Sequence, residues 1–236
     1  MKIIVAGGTG FIGHALVEEL ARQGPEAVLS SRRSGHASQS SLRFAEWDAC
    51  FAGPWHSEVA TADVVINLAG APIADGRWTD ARKRLLVESR ILSTRLLVDA
   101  LAGRSASLPL LISASGIGYY GPSDDRLLDE ASPIGHGFLA ELSAAWEAEA
   151  LRAGRLGTRV VLLRTGMVLE QGGGALPKML LPFRLFAGGP VLPGTQWVSW
   201  IHRSDLIGLI QWVIATATIS GPVIAVAPEA VTMKMF

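Results

Sequence analysis

A short apolar run, Lys2-Ile3-Ile4-Val5-Ala6, leads straight into Gly7-Gly8-Thr9-Gly10-Phe11-Ile12-Gly13, and nothing else in the 236-residue chain restricts the fold so tightly. The next apolar residues, Ile12, Leu16, Val17 and Leu20, recur at helical spacing, and Gly24 supplies a stop. Strand, glycine turn and helix in that order form the context in which a glycine motif binds a dinucleotide. Gly7 permits the tight turn, Gly10 lets the backbone approach a pyrophosphate, and Gly13 lets the helix pack closely on the strand. The helix N-terminus then offers free N–H groups and a partial positive charge to the phosphates. Gly7, Thr9, Gly10, Phe11, Ile12 and Gly13 are the predicted contacts of this turn.

Further along, short β-branched runs alternate with longer amphipathic ones. That pattern predicts an α/β fold, a doubly wound parallel sheet of the Rossmann type. Strands are expected at Lys2–Ala6, Ala27–Ser30, Arg43–Glu46, Val64–Asn67, Leu110–Ser113, Arg159–Arg164 and Val223–Val226. Helices are expected at Phe11–Gln23, Asp80–Ala102, Leu139–Ala153 and Asp205–Ala217, with Gly103 and Gly154 as stops. From about Gln171 to Trp200 glycines and prolines loosen the pattern, predicting a small substrate-side excursion of loops with a short helix, Leu176–Phe186. The chain thus reads as one structural domain: a dinucleotide-binding core over 1–170, the excursion over 171–202, and a helix and strand returning over 203–236. In such a sheet, ligands bind beyond the C-terminal ends of the strands, so functional residues should follow strands.

Composition narrows the function. Twenty-one basic residues balance 21 acidic ones, which argues against nucleic acid or a lipid surface as partner. The single cysteine, Cys50, and five scattered histidines give no metal-ligand spacing, so no metal is expected. Leu206 to Ala227 carries no charge, but Ser220-Gly221-Pro222 divides it into a buried helix and strand rather than a membrane span. The N-terminus is a strand broken by glycine, not a signal peptide, and the expected location is cytoplasmic.

An NAD site normally carries an acidic residue at the end of the second strand, roughly 20 residues beyond the glycines. Here that region reads Leu29-Ser30-Ser31-Arg32-Arg33, without a carboxylate. Ser31 and the guanidiniums of Arg32 and Arg33 suit a 2′-phosphate, which arginine grips bidentately. The expected cofactor is therefore NADP(H). Asp48 is a candidate for the adenine amino group, and Asn67-Leu68-Ala69-Gly70 for the path toward the nicotinamide.

Several segments occur in order: Gly7 to Gly13, Asn67-Leu-Ala-Gly-Ala-Pro-Ile73, Arg77-Trp78, Ser113-Ala-Ser-Gly-Ile-Gly-Tyr-Tyr-Gly121, Phe138-Leu-Ala-Glu141 with Ala145-Trp-Glu147, and Trp200-Ile-His-Arg-Ser-Asp205. Together they resemble the extended short-chain dehydrogenase/reductase superfamily, in its "epimerase family protein" branch similar to nucleoside-diphosphate-sugar epimerases. The resemblance runs from Met1 to about Thr232, and implies a further C-terminal helical segment where this sequence ends at Phe236. It also implies an NADP(H)-binding oxidoreductase or epimerase-like enzyme whose substrate is a small carbonyl or hydroxyl compound, nucleotide sugars included, and a homodimer through helices equivalent to Asp80–Ala102 and Leu139–Ala153.

The resemblance further implies a serine that positions the substrate and a tyrosine four residues before a lysine as general acid/base. Ser115 matches the serine, while Ser113 lies closer to the strand and the cofactor. The tyrosine–lysine pair does not stand where it should: Phe138 is followed by Leu142, and Leu139 by Ser143. The chain has two tyrosines, Tyr119 and Tyr120, as candidate proton donors, with Lys83 as a candidate cation beside them. Glu141 and Glu147 are other candidate proton carriers. Arg164, Trp200 and His202 are candidate substrate contacts, and Ser204 or Asp205 a candidate helix cap. A second reading is an NADP(H)-sensing protein that has lost the acid/base pair.

Overall fold

The computed structural model describes residues 1–24, 26–31, 42–47, 51, 53, 55–103, 109–189 and 192–236. The chain opens with β1 (Lys2–Ala6), α1 (Phe11–Gln23), β2 (Glu26–Ser31), β3 (Leu42–Glu46), α2 (Trp55–Ala60) and β4 (Val64–Asn67). It continues with α3 (Asp80–Ala102), β5 (Leu110–Gly116), a 3-10 turn over Ile117–Tyr120, and α4 (Phe138–Leu151). Then come β6 (Arg159–Thr165), β7 (Met167–Glu170), β8 (Gly173–Gly174), α5 (Leu176–Arg184), β9 (Trp197–Val198) and β10 (Trp200–His202). The chain closes with α6 (Arg203–Ala215), β11 (Gly221–Ala225) and β12 (Val231–Thr232).

Among the described residues, seven strands form one sheet in the order β11-β6-β5-β4-β1-β2-β3, every pair parallel. The order reverses between β1 and β4, which places the ligand crevice at that switch point. Register aligns Ala6 with Asn67 and Asn67 with Ser113, so the residues expected near a cofactor stand level across the sheet.

Alternation along the strands sends side chains to two cores. Ile3, Val5, Ile66 and Ile112 face α1 and α6 through Leu16, Leu20, Leu206 and Ile210. Ile4, Val65 and Leu111 face the opposite layer, with Val59 of α2, Leu97 of α3 and Ala150 of α4. Strands buried on both faces read as near-continuous apolar runs, as residues 3–6 and 64–66 do.

α1 and α3 occupy the expected residues, whereas α4 ends at Leu151 rather than Ala153. It passes into a 3-10 turn over Arg152–Leu156 that stops at Gly157, where φ is 81°, and not at Gly154. The left-handed conformation needed there falls to the glycine that ends the turn. β5 runs through Ser115 to Gly116, three residues beyond its expected end, because its pairing with β6 continues to Thr165. α2 is not among the expected helices; at six residues it is too short to show a helical period. α6 is capped by His202, whose side chain accepts from the Ser204 backbone N–H, not by Ser204 or Asp205.

The excursion is better ordered than its loops suggested. β7 pairs with β10 in parallel and with β8 antiparallel, while β9 pairs with β12. α5 ends at Arg184 and buries none of its residues. Among the described residues, no helix is long and apolar enough to cross a membrane.

Candidate functional site

Between β1 and α1 the glycines do what their spacing requires. Gly7 has φ 80°, and a Cβ there would come within 2.9 Å of the Leu68 carbonyl carbon. A Cβ on Gly13 would lie 2.3 Å from the Gly7 oxygen. Gly10 is the N-cap of α1 in an extended conformation, exposed, and without a side-chain cap. The first N–H groups of α1 therefore have no side-chain acceptor at the Gly10 cap, and Gly10 itself puts no Cβ in the way of an approaching phosphate. A dinucleotide diphosphate fits this cradle.

One wall is the loop after β4. Leu68 N–H donates to the Ala6 carbonyl at 2.9 Å, which joins the loop to β1. Asn67 is fully buried and does not face outward: its amide donates to Thr94 at 2.8 Å and its oxygen accepts from Ala69 N–H at 3.2 Å. Trp146 of α4 donates to the same threonine at 2.9 Å. Asn67 thereby shapes Leu68, Ala69 and Gly70 and leaves their backbone to line the wall.

Phe11 is held from the excursion side. Cβ atoms on Gly173 and Gly174 would each come within 2.7 Å of its ring, and the Arg203 guanidinium lies 5.0 Å from the ring centroid. Glu170 meets both Arg203 and His202, at 3.5 and 3.6 Å. His202 and half-buried Trp200, both expected at the substrate, belong to β10, which pairs with β7 of the excursion. Of the residues expected to select the cofactor, Ser31 ends β2; Arg32, Arg33 and Asp48 lie outside the described residues.

The residues expected to do catalysis meet in a buried network. Ser115 donates to Glu147 Oε1 at 2.7 Å. Arg164 forks onto the same carboxylate, Nε to Oε1 and Nη2 to Oε2, both at 2.9 Å, with both side chains almost wholly buried. Its third arm donates to the Tyr120 hydroxyl at 2.8 Å, and Tyr120 donates to the Asp129 carbonyl at 2.9 Å. The Tyr119 ring covers the guanidinium, 3.6 Å from its centroid.

Arg164, expected to face an anionic substrate group, instead has an internal carboxylate. Register explains it: β5 and β6 place Ser115 opposite Arg164, and α4 lays Glu147 over both. Burial alone would lower the Arg164 pKa, but hydrogen bonds to Glu147 and Tyr120 more than reverse this. Ser113 is fully buried within β5. Lys83 does not meet the tyrosines; it stands 5.6 Å over Phe138, beside an open cavity of about 350 Å³ lined also by Asp80, Arg84, Val87 and Glu88.

Burial raises the Tyr120 pKa, only partly offset by the Arg164 hydrogen bond. The folded protein therefore keeps this proton above the pH, about 10, at which an unfolded phenol releases it. That contribution is complete below pH ~10 and is lost as pH rises through the folded pKa. Tyr120→Phe is expected to cost about 1–3 kcal/mol at neutral pH and to flatten the alkaline fall in stability. Urea midpoints measured across pH check this; an unchanged alkaline slope would contradict it.

Sequence reasoning missed two members of this region. Glu147 was noticed as a carboxylate but not as the partner of Arg164, seventeen residues away. Arg90, buried on the inner face of α3, was not noticed at all. Its signal was there: a charged residue in line with Leu86, Ser93, Thr94 and Leu97 on the core side of an amphipathic helix.

Known proteins resemble this chain in sequence and in fold. The sequence pattern described as "NAD dependent epimerase/dehydratase family" matches residues 3–227. "Epimerase family protein YfhF" of Bacillus subtilis is 38% identical over 237 residues, covering 100% of this chain and 77% of its own. The crystal structure of human epimerase family protein SDR39U1 (isoform 2) with NADPH superposes at TM-score 0.82 and 35% identity, over 99% of this chain and 77% of that one. A UDP-glucuronic acid 4-epimerase from Bacillus cereus, in complex with UDP-glucuronic acid and NAD, superposes at 0.82 with 20% identity, over 99% and 80%. At that identity the likeness concerns the fold alone.

Proposed function

The chain belongs to the NAD-dependent epimerase/dehydratase family, and we propose that it binds NADP(H) and acts on a small carbonyl or hydroxyl substrate held beside β5. The glycine cradle carries this reading: Gly7 and Gly13 admit no Cβ, and Gly10 leaves the α1 N-terminus open. The NADPH bound to the human relative supports the choice of cofactor, as does the Ser31-Arg32-Arg33 sequence where an NAD site would carry a carboxylate.

Gly7 to Gly13 and the Leu68–Gly70 wall hold the diphosphate in this proposal, and Arg32 and Arg33 hold the 2′-phosphate. The cofactor, when bound, supplies a hydride donor or acceptor. The chain's own part is to orient the substrate and move a proton. Ser115 already donates to Glu147, so its oxygen meets a substrate as an acceptor. Tyr120 is engaged on both sides. Tyr119 has no hydroxyl partner among the described residues, and its ring sits on the Arg164 guanidinium. Tyr119 is therefore the proposed proton carrier, and Tyr120 and Arg164 hold it in place.

A calorimetric titration with NADPH and NADH tests the cofactor. NADPH is expected to bind at least about tenfold more tightly, a difference of about 1.4 kcal/mol, and Arg32→Glu to abolish the preference. Equal affinity would remove the 2′-phosphate assignment. For the chemistry, Tyr119→Phe is expected to stop turnover of a carbonyl or hydroxyl substrate while NADPH still binds.

A second reading has one specific observation behind it. Phe138 and Leu142 stand where the tyrosine–lysine pair is expected, and the Ser115 and Tyr120 hydroxyls are consumed internally. An NADP(H)-binding sensor needs no proton carrier. Tight NADPH binding, with no turnover across a panel of aldehydes, ketones and nucleotide sugars, would select it.

A further inference from the structure

Arg90 is a buried cation without an anion. Only 7% of its surface is exposed, and among the described residues it has no carboxylate partner. Its guanidinium donates to the carbonyls of Leu86 at 3.2 Å and Ala71 at 3.1 Å, and lies 5.1 Å from the Trp146 ring centroid. The Nε–H is buried with no acceptor. Among the described residues, Arg82, of the same sign, is the charged group that bears on it. Burial, aided by Arg82, brings its pKa down to about 10. A buried charge left in this state is a cost unless something supplies the opposite charge.

Its position sets it close to the glycine turn. A Cβ on Gly70 would meet the Arg90 Cζ at 3.0 Å and Nη2 at 3.2 Å, so the guanidinium lies directly behind the Gly70 backbone. One step further along, Leu68 and Ala69 touch Gly7 of the glycine turn. Three side chains of α3 pin the next stretch: Arg90 on the Ala71 carbonyl, Ser89 accepting from the Ala71 N–H at 3.0 Å, and Arg82 on the Pro72 carbonyl. The order is cradle, loop, guanidinium.

We propose that Arg90 is a positioning residue for the dinucleotide, supplying from behind Gly70 the positive charge that the bound diphosphate neutralises. The inference rests on the NADP(H) reading above. It makes the loop after β4 more than a wall: the loop stands between the guanidinium and the glycine turn, so the field of Arg90 acts across Gly70, and the ligand relieves a cost that the unliganded fold bears.

The test uses the full chain, NADPH as probe, and two variants that separate charge from hydrogen bonding. Arg90→Gln keeps a donor for the Ala71 carbonyl and removes the charge; Arg90→Lys keeps the charge and gives up the fork. NADPH affinity is measured by calorimetry and unliganded stability by thermal unfolding. Arg90→Gln is expected to unfold at or above the wild-type temperature without ligand and to bind NADPH tenfold or more weakly. Arg90→Lys is expected to bind within about threefold of wild type, about 0.65 kcal/mol. A merely structural arginine would lower the unliganded melting temperature in both variants and leave the affinity of the folded fraction unchanged, which overturns the proposal. If Arg90→Gln does not fold, Arg90→Lys decides alone: retained affinity supports the charge role, and tenfold loss overturns it. Wild-type protein that fails to bind NADPH would refute the cofactor reading itself, a result distinct from binding that is indifferent to position 90.

Discussion

Glu147→Ala is expected to destabilise the protein by about 3–5 kcal/mol, the cost of leaving one partner of a buried ion pair behind. Arg164 then keeps its charge in a site only a few per cent exposed, with the Tyr120 hydroxyl, the Glu130 carbonyl and the Tyr119 ring as its remaining company. Ser115 loses its acceptor in the same step. Removing both charges should behave differently. A Glu147→Leu, Arg164→Met pair leaves no orphaned ion and is expected to recover most of the loss, because well-packed apolar replacements often match a buried pair. Urea denaturation of the single and double variants measures this coupling. A single variant that loses less than about 1 kcal/mol would mean water reaches Arg164 and the network is not sealed.

The second large effect belongs to the cradle. Gly13→Ala places a methyl group 2.3 Å from the Gly7 oxygen and 2.8 Å from the Gly8 Cα, both backbone atoms that have no rotamer to escape into. The turn has to shift. The expected stability cost is about 1–3 kcal/mol. The expected loss of NADPH affinity is roughly 100-fold, about 2.7 kcal/mol, because the donors of α1 no longer converge. Gly10→Ala is the informative control. Its Cβ meets only the Gly7 oxygen, at 3.1 Å, so the fold should survive while the methyl group obstructs the phosphate approach. Isothermal titration with NADPH, beside thermal unfolding, separates the two. Undiminished affinity in Gly13→Ala would end the dinucleotide reading of this turn.

These two sites differ in how openly the sequence displayed them. The cradle is a local object, in which spacing alone puts Gly7 against Gly13. The network is assembled from the end of β5, the end of β6, the 3-10 turn between β5 and α4, and the middle of α4. Ser115, Tyr119, Tyr120 and Arg164 were each noticed as candidates, and their assembly was not foreseen. Nothing in the local pattern says that the Arg164 guanidinium points at Glu147 rather than at a ligand. The cap of α6 shows the same limit on a smaller scale, since Ser204 and Asp205 are better caps by type, yet His202 is the residue whose side chain reaches the free N–H.

Sequence by itself determined the parallel sheet, the glycine turn at its first strand end, and the full extents of α1 and α3. Those features follow from periodicity and from the conformational freedom of glycine, which act over a few neighbouring residues. Tertiary structure alone decided the fate of the charged and hydroxyl groups at the strand ends. It set Ser115 beside Arg164 through the β5–β6 register, folded Glu147 over both, and left Arg90 behind Gly70 with no counter-charge among the described residues. A buried ion's role depends on which anion or cation three-dimensional packing brings within reach, and that distance is not written in the spacing of residues along the chain.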